Sequence, residues 1–157
     1  MSIQIPNLHT SNRSLIEGRA SVFIRRRKDA AHAGVFTVEG TIKFDPAVDA
    51  YPSGNMRIRV DLSDSAKGVF KVTTVEQVDT MGKHTPTLYA SGRCSFDGDT
   101  KVVGARYWLM MADNKRGQDE ETADVIGFLV FDRNGKRVAY GTGPVREGDF
   151  VVKPNGE

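Results

Sequence analysis

Residues 56–62 read M-R-I-R-V-D-L and decide the fold of this chain. Apolar side chains at Met56, Ile58, Val60 and Leu62 alternate with charged ones, which is the period of a β-strand with one buried face. A helix would instead repeat its apolar positions about every 3.6 residues. The stretch therefore predicts a strand whose apolar side chains point into a core.

Comparable segments recur on both sides of this stretch, with turn residues between them about every ten positions. Val125–Phe131 is nearly continuously apolar, as expected of a strand covered on both faces. Asn134-Gly135 after it is a strong hairpin signal, whereas residues 141–144 (G-T-G-P) read as a strand end and turn. We predict an all-β fold with minimal helix. It is either a single antiparallel β-sandwich of the jelly-roll or Greek-key type, or a small barrel of eight to nine strands.

The chain has 157 residues, which fits one domain. Residues 1–19 read as a polar N-terminal arm, and residues 20–157 as a single β domain. Within the arm, Ile3 and Ile5 share one face of a short strand-like piece that Pro6 ends. Such a detached strand is suited to adding onto a neighbouring sheet.

Composition narrows the class of protein. The formal net charge is +2, with acidic and basic residues interspersed, which argues against a nucleic-acid binder. Cys94 is the single cysteine, so a disulfide framework is not expected. The N-terminus has no apolar leader and the chain has no long apolar run, so we expect no membrane partner and favour a cytoplasmic or virion location over a secreted one.

Aromatic residues are the candidate ligand contacts, because an exposed ring offers a platform for a sugar or another small molecule. The candidates are Trp108, Tyr107, Tyr89 and Tyr51. Trp108 and Met110 alternate with Tyr107, so they lie on the opposite face of one strand. Large aromatic side chains are mostly buried, and a core position is therefore the expected one for Trp108.

The run Arg25, Arg26, Arg27 and Lys28 is the candidate basic patch for phosphate or an acidic partner. No interleaved aromatic residues accompany it, so a solvated strand end is the preferred interpretation.

Acidic residues between positions 113 and 124 suggest a cation site, with Asp113, Asp119 and Asp124 as the candidate ligands. Calcium requires six to eight oxygens from a shaped loop, and the ligand spacing of known calcium loops is missing here. A solvated acidic loop is the preferred interpretation, and no metal or other cofactor is expected.

No catalytic constellation is visible in the sequence. His9, His32 and His84 are far apart, and none has a partner at metal-ligand spacing. A G-x-S-x-G nucleophile elbow is missing, and Cys94 falls on an apolar strand face, as an inert core thiol would. We therefore do not expect an enzyme, although a small β-barrel enzyme using His84 with acidic residues stays open as an alternative.

Residues 88–152 resemble a widespread group of uncharacterised bacterial β-sandwich domains that are often appended to secreted proteins. The shared order runs from Cys94-x-Phe96, through an aromatic strand ending in Asp113-Asn114 and an apolar strand, to Asn134-Gly135. The chain departs from the group in its uncharged strand Val125–Phe131 and in lacking a secretion signal. The resemblance implies a fold and a binding or assembly role, and it transfers no functional residue.

The sequence thus predicts a non-enzymatic structural or protein-interaction module. Self-association through strand addition by the arm, as in a filament or virion subunit, is the leading expectation. The alternative is a β domain that binds a carbohydrate or another small molecule.

Overall fold

The computed structural model describes residues 13–24, 33–63, 65–82, 85–114 and 122–154. Within them the chain forms nine strands and no helix. The strands are β1 (Ser14–Ile24), β2 (Gly34–Phe44), β3 (Ser53–Leu62), β4 (Gly68–Val72), β5 (Gln77–Met81), β6 (Thr87–Gly98), β7 (Ala105–Ala112), β8 (Val125–Phe131) and β9 (Arg137–Pro154).

The strands form one antiparallel sheet in the order β4-β3-β2-β1-β9-β8-β7-β6-β5. The sheet closes because β4 also pairs with the second half of β6, from Cys94 to Gly98. β5 pairs with the first half of β6 along the same edge and is one strand extra to an eight-stranded barrel. The all-β prediction is confirmed, and of the two predicted architectures the structure is the small barrel rather than the sandwich.

The alternation in residues 56–62 is realised in β3. Met56, Ile58, Val60 and Leu62 are buried, whereas the charged residues between them are exposed. Large apolar side chains from every part of the ring fill the interior in the same way, as expected of a barrel of this strand number. The largest fully buried ones include Tyr107, Phe36, Phe70, Ile16, Ile42, Leu88, Met111 and Ile126. Because side chains fill the described interior, binding groups are to be sought on the outer surface.

The strand β1 begins at Ser14, six positions earlier than predicted, so residues 14–19 belong to the barrel and not to the arm. Partner strands on both sides hold this segment, since Leu15 pairs with Lys43 of β2 and with Lys153 of β9. The Ser14 hydroxyl also lies 2.7 Å from the Thr80 hydroxyl of β5. The start of this strand could not be predicted from the local sequence, because the strand is stabilised by pairing with β9, which is far away in the chain.

The last strand, β9, is the longest and runs without interruption through residues 141–144. The predicted turn at these residues is therefore wrong. Gly141 serves packing instead, because a β-carbon there would lie 2.9 Å from the Phe36 ring, which packs against the Phe128 ring at a centroid distance of 4.8 Å and an interplanar angle of 60°. The strand bends at a bulge opposite Ser21, close to Gly148 with φ +80°.

Candidate ligand-binding face

The outer surface of β6 to β9 carries a group of large apolar side chains that we term the aromatic face. Trp108 is 62% exposed and Tyr89 is 51% exposed, and both stand among half-buried neighbours. The aromatic face consists of Tyr89, Trp108, Met110, Leu129 and Tyr140. Exposed apolar side chains are ordinary when they are scattered singly, but a contiguous group marks an interaction site.

The register of the strands assembles this group from four parts of the chain. Trp108 pairs with Leu129 of β8, and Leu129 pairs with Tyr140 of β9. In the adjacent row, Tyr89 of β6 pairs with Met110. Since directly paired residues point to the same side of a sheet, all five side chains project outward together.

A groove of about 660 Å³ lies along the aromatic face. Gly127 lies in its floor between Met110 and Thr142, where a β-carbon would approach the Thr142 hydroxyl to 2.6 Å. The groove is lined by Ile24, Tyr89, Trp108, Leu109, Met110, Gly127, Phe128, Leu129, Tyr140, Gly141 and Thr142. Its volume falls in the range of roughly 300–1,000 Å³ that is typical of small-molecule sites.

A smaller pocket of about 160 Å³ lies on the β5 side of Trp108. Asp79 enters it because it pairs with Tyr89 across β5 and β6. Among the described residues, the Asp79 carboxylate, the Tyr89 hydroxyl and the Trp108 indole N–H have no hydrogen-bond or ion-pair partner. The pocket therefore offers an acceptor and two donors beside two aromatic rings.

An ion-pair cluster borders the aromatic face at its Trp108 end. Arg106 donates to Glu76 at 2.7 Å, and the Nε of Arg93 lies 3.4 Å from the other Glu76 oxygen. The hydrogen bond from Arg106 is the main reason that the pKa of Glu76 is lowered, and the positive charges of both arginines add to it. At the opposite side, the Arg137 guanidinium stacks over the Tyr140 ring at 4.0 Å.

The structure separates the four predicted aromatic candidates. The expectation of a core position for Trp108 is wrong, and its solvent-exposed alternative holds together with Tyr89. Tyr107 cannot join the platform because it is fully buried, where its hydroxyl donates to the Thr74 carbonyl at 3.0 Å. Tyr51 is exposed but lines a different groove, with Gly54 and residues 73–76.

Sequence reasoning missed most of the residues around Trp108. Met110 was placed on the same strand face by alternation alone. Leu129, Tyr140 and Asp79 come from three other strands, and no local pattern linked them to Trp108. Their convergence depends on strand order and register, which only the folded barrel supplies.

Two of the three acidic candidates differ from the sequence-based expectation in their exposure to solvent. Asp113 and Asp124 are buried rather than solvated, which corrects the interpretation of an exposed acidic loop at both of its ends. Asp113 accepts a hydrogen bond from the Val152 amide at 3.1 Å and so anchors β9. Asp119 lies outside the described residues, within which no group of three or more potential metal ligands converges.

The other predicted sites fall on parts of the chain that the structure does not describe. These are the basic run Arg25, Arg26, Arg27 and Lys28, the arm residues Ile3 and Ile5, and the histidines His9, His32 and His84. Cys94 is described and buried, as predicted, and burial raises the pKa of its thiol to about 12. It is therefore a protonated core thiol at neutral pH.

Fold and site together define an eight-stranded antiparallel barrel with a filled interior and an external aromatic groove. Comparison of the chain with protein-family models, with curated proteins and with solved structures gave no match. The described strands and loops include no helix of the length and hydrophobicity needed to cross a membrane.

Proposed function

We propose that this protein is a non-enzymatic binding module that takes a small apolar ligand in the groove of the aromatic face. The observation that carries the proposal is the exposure of Trp108 and Tyr89 at neighbouring positions over a groove of about 660 Å³. Leaving such side chains in water is unfavourable, and covering them with a ligand recovers about 25 cal/mol per Å² of buried apolar surface.

The lining favours an apolar small molecule over a carbohydrate. Ile24, Met110 and Leu129 contribute purely apolar side chains, and the polar groups available are the Thr142 hydroxyl, the Tyr89 hydroxyl and the Trp108 indole N–H. A sugar in this groove would leave most of its hydroxyl groups without hydrogen-bond partners, which is costly. Carbohydrate binding, one of the sequence-based expectations, is retained as an arm of the test.

Self-association remains the second candidate function. Trp, Tyr, Met and Arg are enriched at protein interfaces, and all four border this groove. A stable interface, however, requires roughly 20–30 residues from each partner. The five side chains of the aromatic face would supply only a small part of that. The proposed strand addition by Ile3 and Ile5 stays a prediction, because these residues lie outside the described part of the chain.

Tryptophan fluorescence tests the leading proposal, since Trp108 is the single tryptophan and lies in the groove. We expect titration with 1-octanol to shift its emission saturably. Leu129→Glu should abolish the response by placing a charge in the lining. Val48→Glu is the matched control, because Val48 is 79% exposed in a loop away from the groove. An unchanged response in Leu129→Glu, or no response to octanol in the native protein, would refute the proposal.

Light scattering, which gives the mass of the protein in solution, tests the second candidate function, self-association. The comparison is between the full chain and a chain beginning at Arg13, because deletion through Arg19 would remove half of β1. A defined oligomer that dissociates on arm deletion would establish the arm as the assembly element. An oligomer that dissociates only in Trp108→Ala would identify the aromatic face as the subunit interface, and a monomer in all forms would exclude self-association.

A further inference from the structure

We propose, on the basis of the function proposed above, that the ligand is an amphiphilic organic cation. Its ammonium head would occupy the small pocket between Asp79, Tyr89 and Trp108, and its apolar tail would lie in the groove. Trp108 lines both spaces, so one molecule can pass around its ring and fill them together.

The head pocket is built around a half-buried carboxylate. Asp79 pairs with Tyr89, and Gln77 pairs with Ser91, which in turn pairs with Trp108. This register places Asp79 diagonally across from the indole ring, within the pocket of about 160 Å³. A partly desolvated carboxylate gains most from a positive charge that replaces lost water.

Neighbouring protein cations do not neutralise Asp79. The two arginines at this end of the face, Arg93 and Arg106, both bind Glu76. Arg137, at the far side, stacks on Tyr140. Among the described residues, the Asp79 carboxylate therefore has no counter-ion.

Both kinds of group in the pocket favour a cation. The faces of Tyr and Trp rings carry negative potential and attract alkylammonium groups, and the carboxylate adds a full negative charge. A neutral sugar would satisfy the hydrogen-bonding groups but would leave this charge uncompensated. An anionic head would be repelled by it.

The apolar groove is the reason that we expect the ligand to carry an apolar tail. Its purely apolar contributors, among them Met110 and Leu129, begin directly beside Trp108. Each methylene group that becomes buried there should tighten binding by up to about fourfold. The class of ligand is thus an alkylammonium compound rather than a free small amine.

The test uses three probes with the same tail, each kept below its micelle concentration. Octyltrimethylammonium, octyl glucoside and octyl sulfate are titrated into the full-length protein, with Trp108 emission as the readout. We expect the cation to bind about tenfold more tightly than the glucoside, and the sulfate most weakly. Butyltrimethylammonium should bind more weakly than the octyl compound.

Asp79→Asn isolates the charge at nearly constant shape. We expect this variant to bind all three octyl probes within about threefold of one another while its affinity for 1-octanol is unchanged. Asp97→Asn is the matched control, since Asp97 is an exposed carboxylate elsewhere on β6. Its preference for the cation should equal that of the native protein.

The outcomes separate the two proposals. Tighter binding of the glucoside, or equal binding of all three probes to the native protein, would overturn the cation proposal and leave the groove as a binding site. Failure of every octyl compound, 1-octanol included, would overturn both. If Asp79→Asn did not fold, a competition experiment with the native protein would test the cation proposal. Tetramethylammonium chloride should then displace octyltrimethylammonium more strongly than sodium chloride of equal ionic strength does.

Discussion

Tyr107 and Trp108 are consecutive residues with opposite surroundings. Tyr107 is fully buried and donates its hydroxyl to the Thr74 carbonyl at 3.0 Å, whereas Trp108 is 62% exposed over the groove. Adjacent strand residues always face opposite sides of the sheet. One of these two aromatic residues therefore stabilises the barrel and the other is free to bind.

This relationship predicts different costs for two substitutions. Tyr107→Phe should lower the free energy of unfolding by about 1 kcal/mol, because it removes the hydroxyl that donates a hydrogen bond to the backbone carbonyl of Thr74. Trp108→Leu should change the free energy of unfolding by less than about 0.5 kcal/mol. Urea unfolding followed by circular dichroism measures both, and an equal loss in the two variants would contradict the assigned roles.

Gly148 is predicted to be essential for the bend in β9. Its φ is +80°, and a β-carbon would collide with the backbone carbonyl of Arg19 on the paired strand. Gly148→Ala should therefore cost more than the roughly 1–2 kcal/mol of left-handed strain alone. Gly135→Ala is the control, since Gly135 has φ +78° but no atom within 4 Å of the added carbon. Thermal unfolding should show the larger loss at Gly148, and a larger loss at Gly135 would count against a close-contact role.

Removal of the Asp113 side chain should loosen the end of β9. Asp113→Ala removes the carboxylate that accepts a hydrogen bond from the buried Val152 amide, which costs about 1–3 kcal/mol. Hydrogen exchange at Val152 should accelerate together with the loss in unfolding free energy. Asp97→Ala, at an exposed carboxylate, should leave both unchanged. Native exchange at Val152 in Asp113→Ala would show that another group holds this amide.

The Glu76 ion-pair cluster predicts a small stabilisation that depends on pH. The pKa of Glu76 in the folded protein is lowered from its ordinary value of 4.5, chiefly by the hydrogen bond from Arg106. The cluster therefore stabilises the protein above about pH 4.5, and the contribution disappears as the pH falls through the lower folded value. Because the side chains are well exposed, Glu76→Gln should cost only about 0.5 kcal/mol at pH 7 and nothing at strongly acidic pH. A cost that grows on acidification would contradict this sign.

Cys94 should be unreactive in the folded protein. Burial raises the pKa of its thiol to about 12, so the thiolate that attacks alkylating reagents is scarce at neutral pH. N-ethylmaleimide should label it slowly in native protein and rapidly in denaturant, as followed by mass spectrometry. Rapid labelling under native conditions would show that this part of the barrel opens readily.

Local sequence determined the strands of this protein and many of their inward faces. The alternation in residues 56–62 specified which side chains of β3 are buried, and Asn134-Gly135 specified the hairpin between β8 and β9. These features follow from the two-residue period of a strand and from the φ values a tight turn requires, both of which are local properties. The same alternation separated Tyr107 from Trp108, without showing which of the two lies inside.

Tertiary structure decided the rest. The closure of β4 onto β6 made a barrel instead of a sandwich, and pairing with β2 and β9 drew residues 14–19 into β1. The same pairings brought Asp79, Leu129 and Tyr140 around Trp108 from strands far apart in the chain. Strand order and register arise from many long-range contacts that a local pattern does not encode. The candidate binding face is therefore a property of the closed barrel and not of any single segment.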